Sequence, residues 1–313
     1  MPTRDGSGPD HEELLLLWVA RRTGVLDALT TDAGTVDEVT EATDLNRETT
    51  GRVVRLLAEY GYLHPMGDEY EVTNRALGFL ATRDVRSVGA TPYALDEMDA
   101  LARIGDDAAM EGDESADDRR LRHRLGAHAA RDVATVRAGV TAAVHAAPDA
   151  ERVVDVRGAS GVYATEFARR GYAATLVEAG TVLDVVGPML GERGVEAVAA
   201  NSVTNVPVAD ADLALLAGVL QRHPPETNRA LLDAVYDVLG EGGVVVVLEP
   251  LRGVSPAAHR VAVERLAQGR GDAYTGEAVT TWLAAAGFVD GDVRDVPGTD
   301  YRAVVARCER GVD

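Results

Sequence analysis

Four residues in the middle of the chain have the types and spacing to hold a nucleotide-like ligand. Asp155, Gly158 and Gly161 recur every third position in RVVDVRGASG, and Glu178 closes the next apolar run, AATLVE. From Arg152 the sequence reads as an apolar strand ending at Asp155, a small-residue turn, a helix to about Arg170 and a second apolar strand ending on Glu178. Strand, tight turn, helix and parallel strand form the opening unit of a doubly wound α/β domain. A nucleotide-like ligand in such a domain lies across the carboxyl ends of the strands. The turn supplies backbone N–H groups and a helix N-terminus, and an acid ending the second strand holds a ribose.

The elements that position these groups alternate through the second half of the chain. TVLDVVGPMLGERG reads as a helix and EAVAA as a third strand; VPVADADLALLAGVL carries a fourth strand, introduced by Asp210 and Asp212. ETNRALLDAVYDVLG is a helix closed by Gly240, and GGVVVVLEPL is a fifth strand apolar enough to be buried on both faces. AAHRVAVERLAQ and YTGEAVTTWLAAAGF follow as helices, and VRDV and YRAVVARC close the chain as paired strands.

The first half is organised differently. A helix from His11 to about Leu29 is interrupted at Gly24, and Thr35 caps VDEVTEA with Glu38 as its capping-box partner. Asn46 caps a helix Arg47–Tyr60, whose buried stripe is Val53, Val54, Leu56 and Leu57. YLHP and EYEVT, around a turn at Gly67–Asp68, form a small β-wing, so the elements compose a winged helix. The expected organisation is a disordered arm at 1–10, a winged-helix domain at 11–82, a helical linking region at 83–147 and an α/β domain at 148–313. Within the linking region, Gly105–Arg120 reads as a charged loop or frayed helix start, followed by one long helix from Leu121 to His145. His123, His128 and His145 on that helix do not share one face and read as surface residues, so no metal site is expected.

Asp-x-x-Gly-x-x-Gly followed by an acid at the end of the next strand resembles the S-adenosylmethionine (SAM)-dependent methyltransferases. The whole chain resembles the small-molecule O-methyltransferases that carry an N-terminal winged-helix dimerisation domain. The resemblance implies an α/β fold: a Rossmann-like methyltransferase domain preceded by an all-α/winged-helix dimerisation domain. It also implies SAM as cofactor, a small hydroxylated acceptor, and a homodimer formed through the N-terminal domain. The family's turn reads Asp-x-Gly-x-Gly-x-Gly, and here Arg157 and Ala159 stand where two of those glycines are expected. Residue 157 is the discriminating position: an outward side chain leaves a SAM pocket, whereas an inward one pairs with Glu178 and closes it.

Carried over residue by residue, the resemblance assigns Gly158 and Gly161 to the cofactor turn, with Asp155 supporting its backbone. Glu178 goes to the ribose hydroxyls, Asn201 to a position beside the adenine, and Leu216 to packing on the adenine ring or filling the core. Methyl transfer to oxygen needs positioning and removal of the hydroxyl proton. The family's histidine base aligns with Gln221, which is no base near neutral pH, so His223, two residues on, is the candidate base. Glu249 matches the family's base-orienting Glu. A further family Glu aligns with Ala273, with Asp272 one position off. The alternative reading is a catalytically inactive methyltransferase fold serving as a dimeric ligand-sensing or regulatory protein, with Arg157 filling the cofactor's place; a third, weaker reading makes the winged helix a DNA reader and the α/β domain its sensor.

Bulk properties narrow the field further. The 313 residues carry 51 acids against 31 basic residues, a net charge of −20, and every one of those basic residues is Arg. A strongly acidic chain without Lys fits a protein kept soluble in concentrated salt, and a halophilic source is the expectation. Repulsion from phosphates argues against nucleic-acid binding and against anionic membranes. Residues 11–82 hold six Arg against thirteen acids, which favours dimerisation over DNA reading for the winged helix. The single Cys308 excludes an intrachain disulfide and a Cys-based zinc cluster. The polar, acidic N-terminus and the lack of a long apolar run lead to a cytoplasmic expectation with no membrane span.

Overall fold

The first helix begins where Asp10 accepts the Glu13 backbone N–H at 2.8 Å, and Gly24, at φ +78°, separates it from the second. The computed structural model describes residues 9–31, 33–76, 88–105 and 114–309, which divide into two compact units, 1–130 and 131–313. The arm expected at 1–10 falls largely outside the described residues, as does the stretch 106–113 of the charged run, whose remainder from Glu114 is helical. In the first unit, helices α1 (His11–Arg22), α2 (Val25–Thr31), α3 (Val36–Ala42) and α4 (Arg47–Glu59) precede an antiparallel hairpin, β1 (Leu63–Met66) and β2 (Glu69–Val72). The Thr35–Glu38 capping box forms as expected, and Asn46 caps α4 through the Thr49 N–H. On α4, Val53, Val54 and Leu57 are buried with Leu17, Val39 and Tyr62, but Leu56 faces solvent at 36% exposure, off the expected stripe.

The long helix expected from Leu121 to His145 is two helices, α6 (Glu114–Ala129) and α7 (Val133–Ala146), the first preceded by α5 (Thr91–Ala102). Asp132 makes the break: its carboxylate caps α7 by accepting the Thr135 N–H at 2.8 Å. The division between the units falls at this break, so the region expected at 83–147 is shared between them. Two of its histidines are not surface residues. His128 is buried, and so is His123, whose Nδ1 lies 2.7 Å from Asp96 Oδ2; His145 is exposed.

The second unit is an α/β sandwich around a seven-stranded sheet of order β5-β4-β3-β6-β7-β9-β8. Its parallel strands are β3 (Arg152–Val156), β4 (Ala173–Ala179), β5 (Glu196–Ala200), β6 (Ala211–Ala217) and β7 (Leu239–Glu249). β9 (Arg302–Cys308) runs antiparallel to β7, and β8 (Phe288–Asp295) antiparallel to β9. Successive residues of one strand enter different cores. Leu213, Leu215, Val244 and Val246 pack with Val136, Val140 and Phe167, while Ala214, Leu216, Val245 and Val247 pack with Leu231, Val235 and Val279. Helices cover both faces, which explains why these strands are apolar throughout. The strand order reverses between β3 and β6, and a crevice at the carboxyl ends of such strands is where ligands bind.

Candidate active site at the carboxyl ends of the strands

The turn after β3 keeps the shape that glycine would give it without glycine at every position. Arg157 and Ala159 have φ of +58° and +50°, a left-handed conformation that L-residues adopt at some strain, and Gly161 follows at +70°. Gly158 is required for a different reason. A Cβ there would stand 2.2 Å from Asp155 Oδ2, so this backbone rests directly on a carboxyl group. Asp155 is fully enclosed; Oδ2 accepts the Ala164 N–H at 3.1 Å, tying the turn to the first residues of helix α8 (Val162–Arg169), and Oδ1 has no hydrogen-bond partner. Burial pushes the Asp155 pKa up to about 7, with the nearby Glu178 charge adding to the rise.

Glu178, at the end of β4, faces the same turn. Its Oε1 accepts the Ala159 N–H at 3.2 Å and its Oε2 the Ala179 N–H at 2.6 Å. Arg157 turns inward, with Nη1 3.6 Å from Glu178 Oε2 and its side chain only 9% exposed. This inward orientation pairs Arg157 with Glu178, the arrangement expected to close the pocket. A carboxylate has about four lone-pair positions, however, so each Glu178 oxygen keeps acceptor capacity for a hydroxyl.

A second cluster forms where β6 and β7 end. Gln221, in a short 3₁₀ turn (Leu220–Arg222), donates from Nε2 to Glu249 Oε2 at 2.9 Å. Glu249 Oε1 accepts the backbone N–H groups of Leu220 at 2.8 Å and Gln221 at 3.4 Å, so the carboxyl grips the turn at three points. Burial pushes its pKa up to about 7, against the opposing pull of those donors. His223 is half-buried at the end of the turn. Burial, with Arg222, Arg270, Arg157 and Arg265 around it, drives its pKa down to about 4, so the imidazole is neutral at physiological pH and weakly basic. The His223 carbonyl accepts Asn228 Nδ2 and Tyr274 Oη, which fixes the segment ahead of α9 (Pro225–Val238).

The remaining sequence candidates separate. Asn201 is exposed just beyond β5, and its backbone N–H meets Asn205 Oδ1 at 3.3 Å. Leu216 has no exposed surface and packs among the core residues around Val154 and Val247. Ala273 is buried; the Asp272 carboxylate turns away and accepts from Arg252 Nη2 at 2.5 Å, while its backbone N–H donates to the Gln221 carbonyl at 3.0 Å. Arg131 was not anticipated. Its Nη1 donates to Tyr163 Oη at 3.2 Å, its guanidinium lies over the Tyr163 and Tyr301 rings, and its charge acts on both Asp155 and Glu249. No spacing signal in the sequence links Arg131 to residues so distant. Among the described residues no His, Cys, Asp and Glu group could hold a metal ion, and no helix is long and apolar enough to cross a membrane.

A reversed parallel sheet, a left-handed turn over a buried Asp and an acid at the next strand end define a Rossmann-like domain of the methyltransferase type. A family profile described as an O-methyltransferase domain matches residues 122–289, more than half of the chain, and the chain belongs to that family. Among solved structures, human N-acetylserotonin methyltransferase in complex with SAM is similar, with a TM-score of 0.64 and 20% identity over 95% of this chain and 94% of that one. The mitomycin 7-O-methyltransferase MmcR gives a TM-score of 0.67 at 20% identity, covering 94% of each chain. PigF with SAH gives 0.66 at 14% identity, over 95% of this chain and 96% of that one. Among curated protein sequences there is no match.

Proposed function

We propose that this protein is a SAM-dependent O-methyltransferase acting on a small hydroxylated acceptor. The observation that carries the reading is Glu178 at the end of β4, held by the Ala159 N–H of a turn that rests through Gly158 on Asp155. These residues fit the cofactor. Glu178 has acceptor capacity for two ribose hydroxyls, and the unpartnered donors of Arg157 suit a ligand that brings a carboxylate. When bound, SAM supplies an electrophilic methyl group on a sulfonium.

The protein's own part is to bind, orient and accept a proton. Gln221 is locked through its amide nitrogen by Glu249, which leaves its Oε1 as an acceptor that orients an acceptor hydroxyl. His223 is neutral above about pH 4 and takes the proton weakly. Glu249, the more basic carboxyl, is engaged by three N–H donors and His223 is a weak base, so the site suits acceptors whose hydroxyl is already acidic, such as phenols and enols. Titration calorimetry with SAM and S-adenosylhomocysteine (SAH) in molar potassium chloride tests the reading. Micromolar binding is expected; a folded sample that binds neither overturns it.

A second reading, a ligand-sensing protein without catalysis, is favoured by Gln221 at the position of the family's base. With the inward Arg157 filling the cofactor's place, it predicts a folded protein that binds neither SAM nor SAH. In either case we read the first unit as a winged-helix module that pairs two copies of the chain. Leu15 and Val19 support this, since they leave an apolar stripe exposed on α1.

A further inference from the structure

Arg157 approaches Glu178 with Nη1 alone. Its Nε and Nη2 are buried and have no hydrogen-bond partner. Those two nitrogens share one lateral edge of the guanidinium and present parallel N–H donors, the fork that a carboxylate fills with both oxygens. The Glu178 contact and the left-handed backbone at residue 157 hold this edge in place beside Glu178. Its surroundings have the matching sign. The chain carries −20, yet Arg157, Arg222, Arg265 and Arg270 all bear on His223, and the buried Nε of Arg265 also has no partner. Four arginines thus act on His223 in an otherwise acidic protein, alongside the buried carboxyls of Asp155, Glu178 and Glu249.

We propose that the site takes a ligand bearing a carboxylate, which Arg157 binds bidentately through Nε and Nη2. The inference rests on the proposed function and deepens it by making Arg157 a specificity-determining residue. Two sources bring the required group: the amino-acid tail of the cofactor, or a carboxylated acceptor such as a hydroxybenzoate. In the family's pattern this position is glycine, so the fork is a property of this chain.

The test is calorimetry on the full chain, as wild type, Arg157→Lys and Arg157→Gly, with folding checked by circular dichroism. Lys keeps the charge and loses the fork, while Gly suits the backbone angle. The probes are SAH and 5′-methylthioadenosine, which keeps the nucleoside and the sulfur but lacks the amino acid. We expect the wild type to prefer SAH by about 10–100-fold, and the preference to collapse in both variants. If SAH has no such advantage, protein saturated with 5′-methylthioadenosine is titrated with 4-hydroxybenzoate and phenol. An Arg157-dependent preference for the hydroxybenzoate then assigns the carboxylate to the acceptor. The proposal is overturned if neither preference depends on Arg157, and in particular if Arg157→Gly binds SAH more tightly than wild type, which would make Arg157 a plug. Failure of every variant to bind either nucleoside instead overturns the cofactor reading, and this inference with it.

Discussion

Gln221 Nε2 and Glu249 Oε2 are 2.9 Å apart, so the carboxyl that the family resemblance would assign to orienting a base holds an amide. The Leu220 and Gln221 backbone N–H groups on Glu249 Oε1 would keep that carboxyl in place if residue 221 changed. Gln221→His should therefore gain a base whose orienting partner already exists. The expected outcome is a rise in kcat of about 10²-fold or more toward a phenolic acceptor, with the KM for SAM unchanged. Single-turnover methylation assays across pH would check it; an unchanged kcat means that proton removal does not limit the reaction.

Gly158 should tolerate no side chain while Asp155 lies beneath it. A Cβ 2.2 Å from a buried carboxyl oxygen forces a backbone shift, so Gly158→Ala should destabilise the fold by about 2–4 kcal/mol. The clash is with a single side chain, so Asp155→Ala should recover much of the loss. Chemical denaturation of both single variants and the double variant would reveal the coupling. Additive losses would mean that the contact is not where the damage arises.

Ala159→Gly is expected to stabilise the protein. The φ of +50° strains Ala by about 1–2 kcal/mol, and glycine's greater freedom when unfolded offsets roughly half of the relief. A net gain of about 0.5–1 kcal/mol would register as a higher Tm in differential scanning calorimetry. A lower Tm would show that the Ala159 methyl contributes packing that outweighs the strain.

Two buried carboxyls oppose the usual pH dependence of stability. Asp155 and Glu249 titrate at about 7 in the fold, above their ordinary values of 3.8 and 4.5. The folded chain binds more protons at these sites than the unfolded chain does. Their contribution is full below about pH 4 and is lost as the pH rises to about 7. His223 acts in the opposite sense: its depressed value gives stability present above pH 6.5 that is lost as the pH falls toward 4. Asp155→Asn removes one opposing group. Relative to wild type, its unfolding free energy should gain about 1–3 kcal/mol between pH 4 and pH 8. Urea titrations at the two pH values measure this directly, and a flat difference would mean that Asp155 titrates normally.

The proposed pairing of two chains has its own test. Leu15 and Val19 are 39% and 36% exposed, one turn apart on α1. Replacing both with Glu should convert a dimer to a monomer in light-scattering chromatography without loss of helicity. A wild type that is already monomeric at micromolar concentration would remove the reading.

The sheet was legible because its physics is written locally. Val244–Leu248 can only be a strand covered on both faces, and Thr35 with Glu38 is a complete capping signal. The break at Asp132 was legible too, since Asp132 and Thr135 stand at cap spacing, but the apolar residues on either side favoured one long helix. His123 could not be read as buried, because Asp96 reaches it through the fold rather than through spacing. In the site, Asp155, Gly158 and Glu178 stood out by position. The direction of the Arg157 side chain did not, since a rotamer is set by Glu178 and the turn and leaves no trace in residue order.

The retained left-handed turn bears on how this chain can change with time. Every codon for Arg lies a single base change from one for Gly, and the same holds for Ala. Positions 157 and 159 can therefore return to glycine by point mutation, onto a backbone that already has the required angles. The departure from the family's motif is thus shallow: it lies in two side chains, while the main chain keeps a path that glycine could follow.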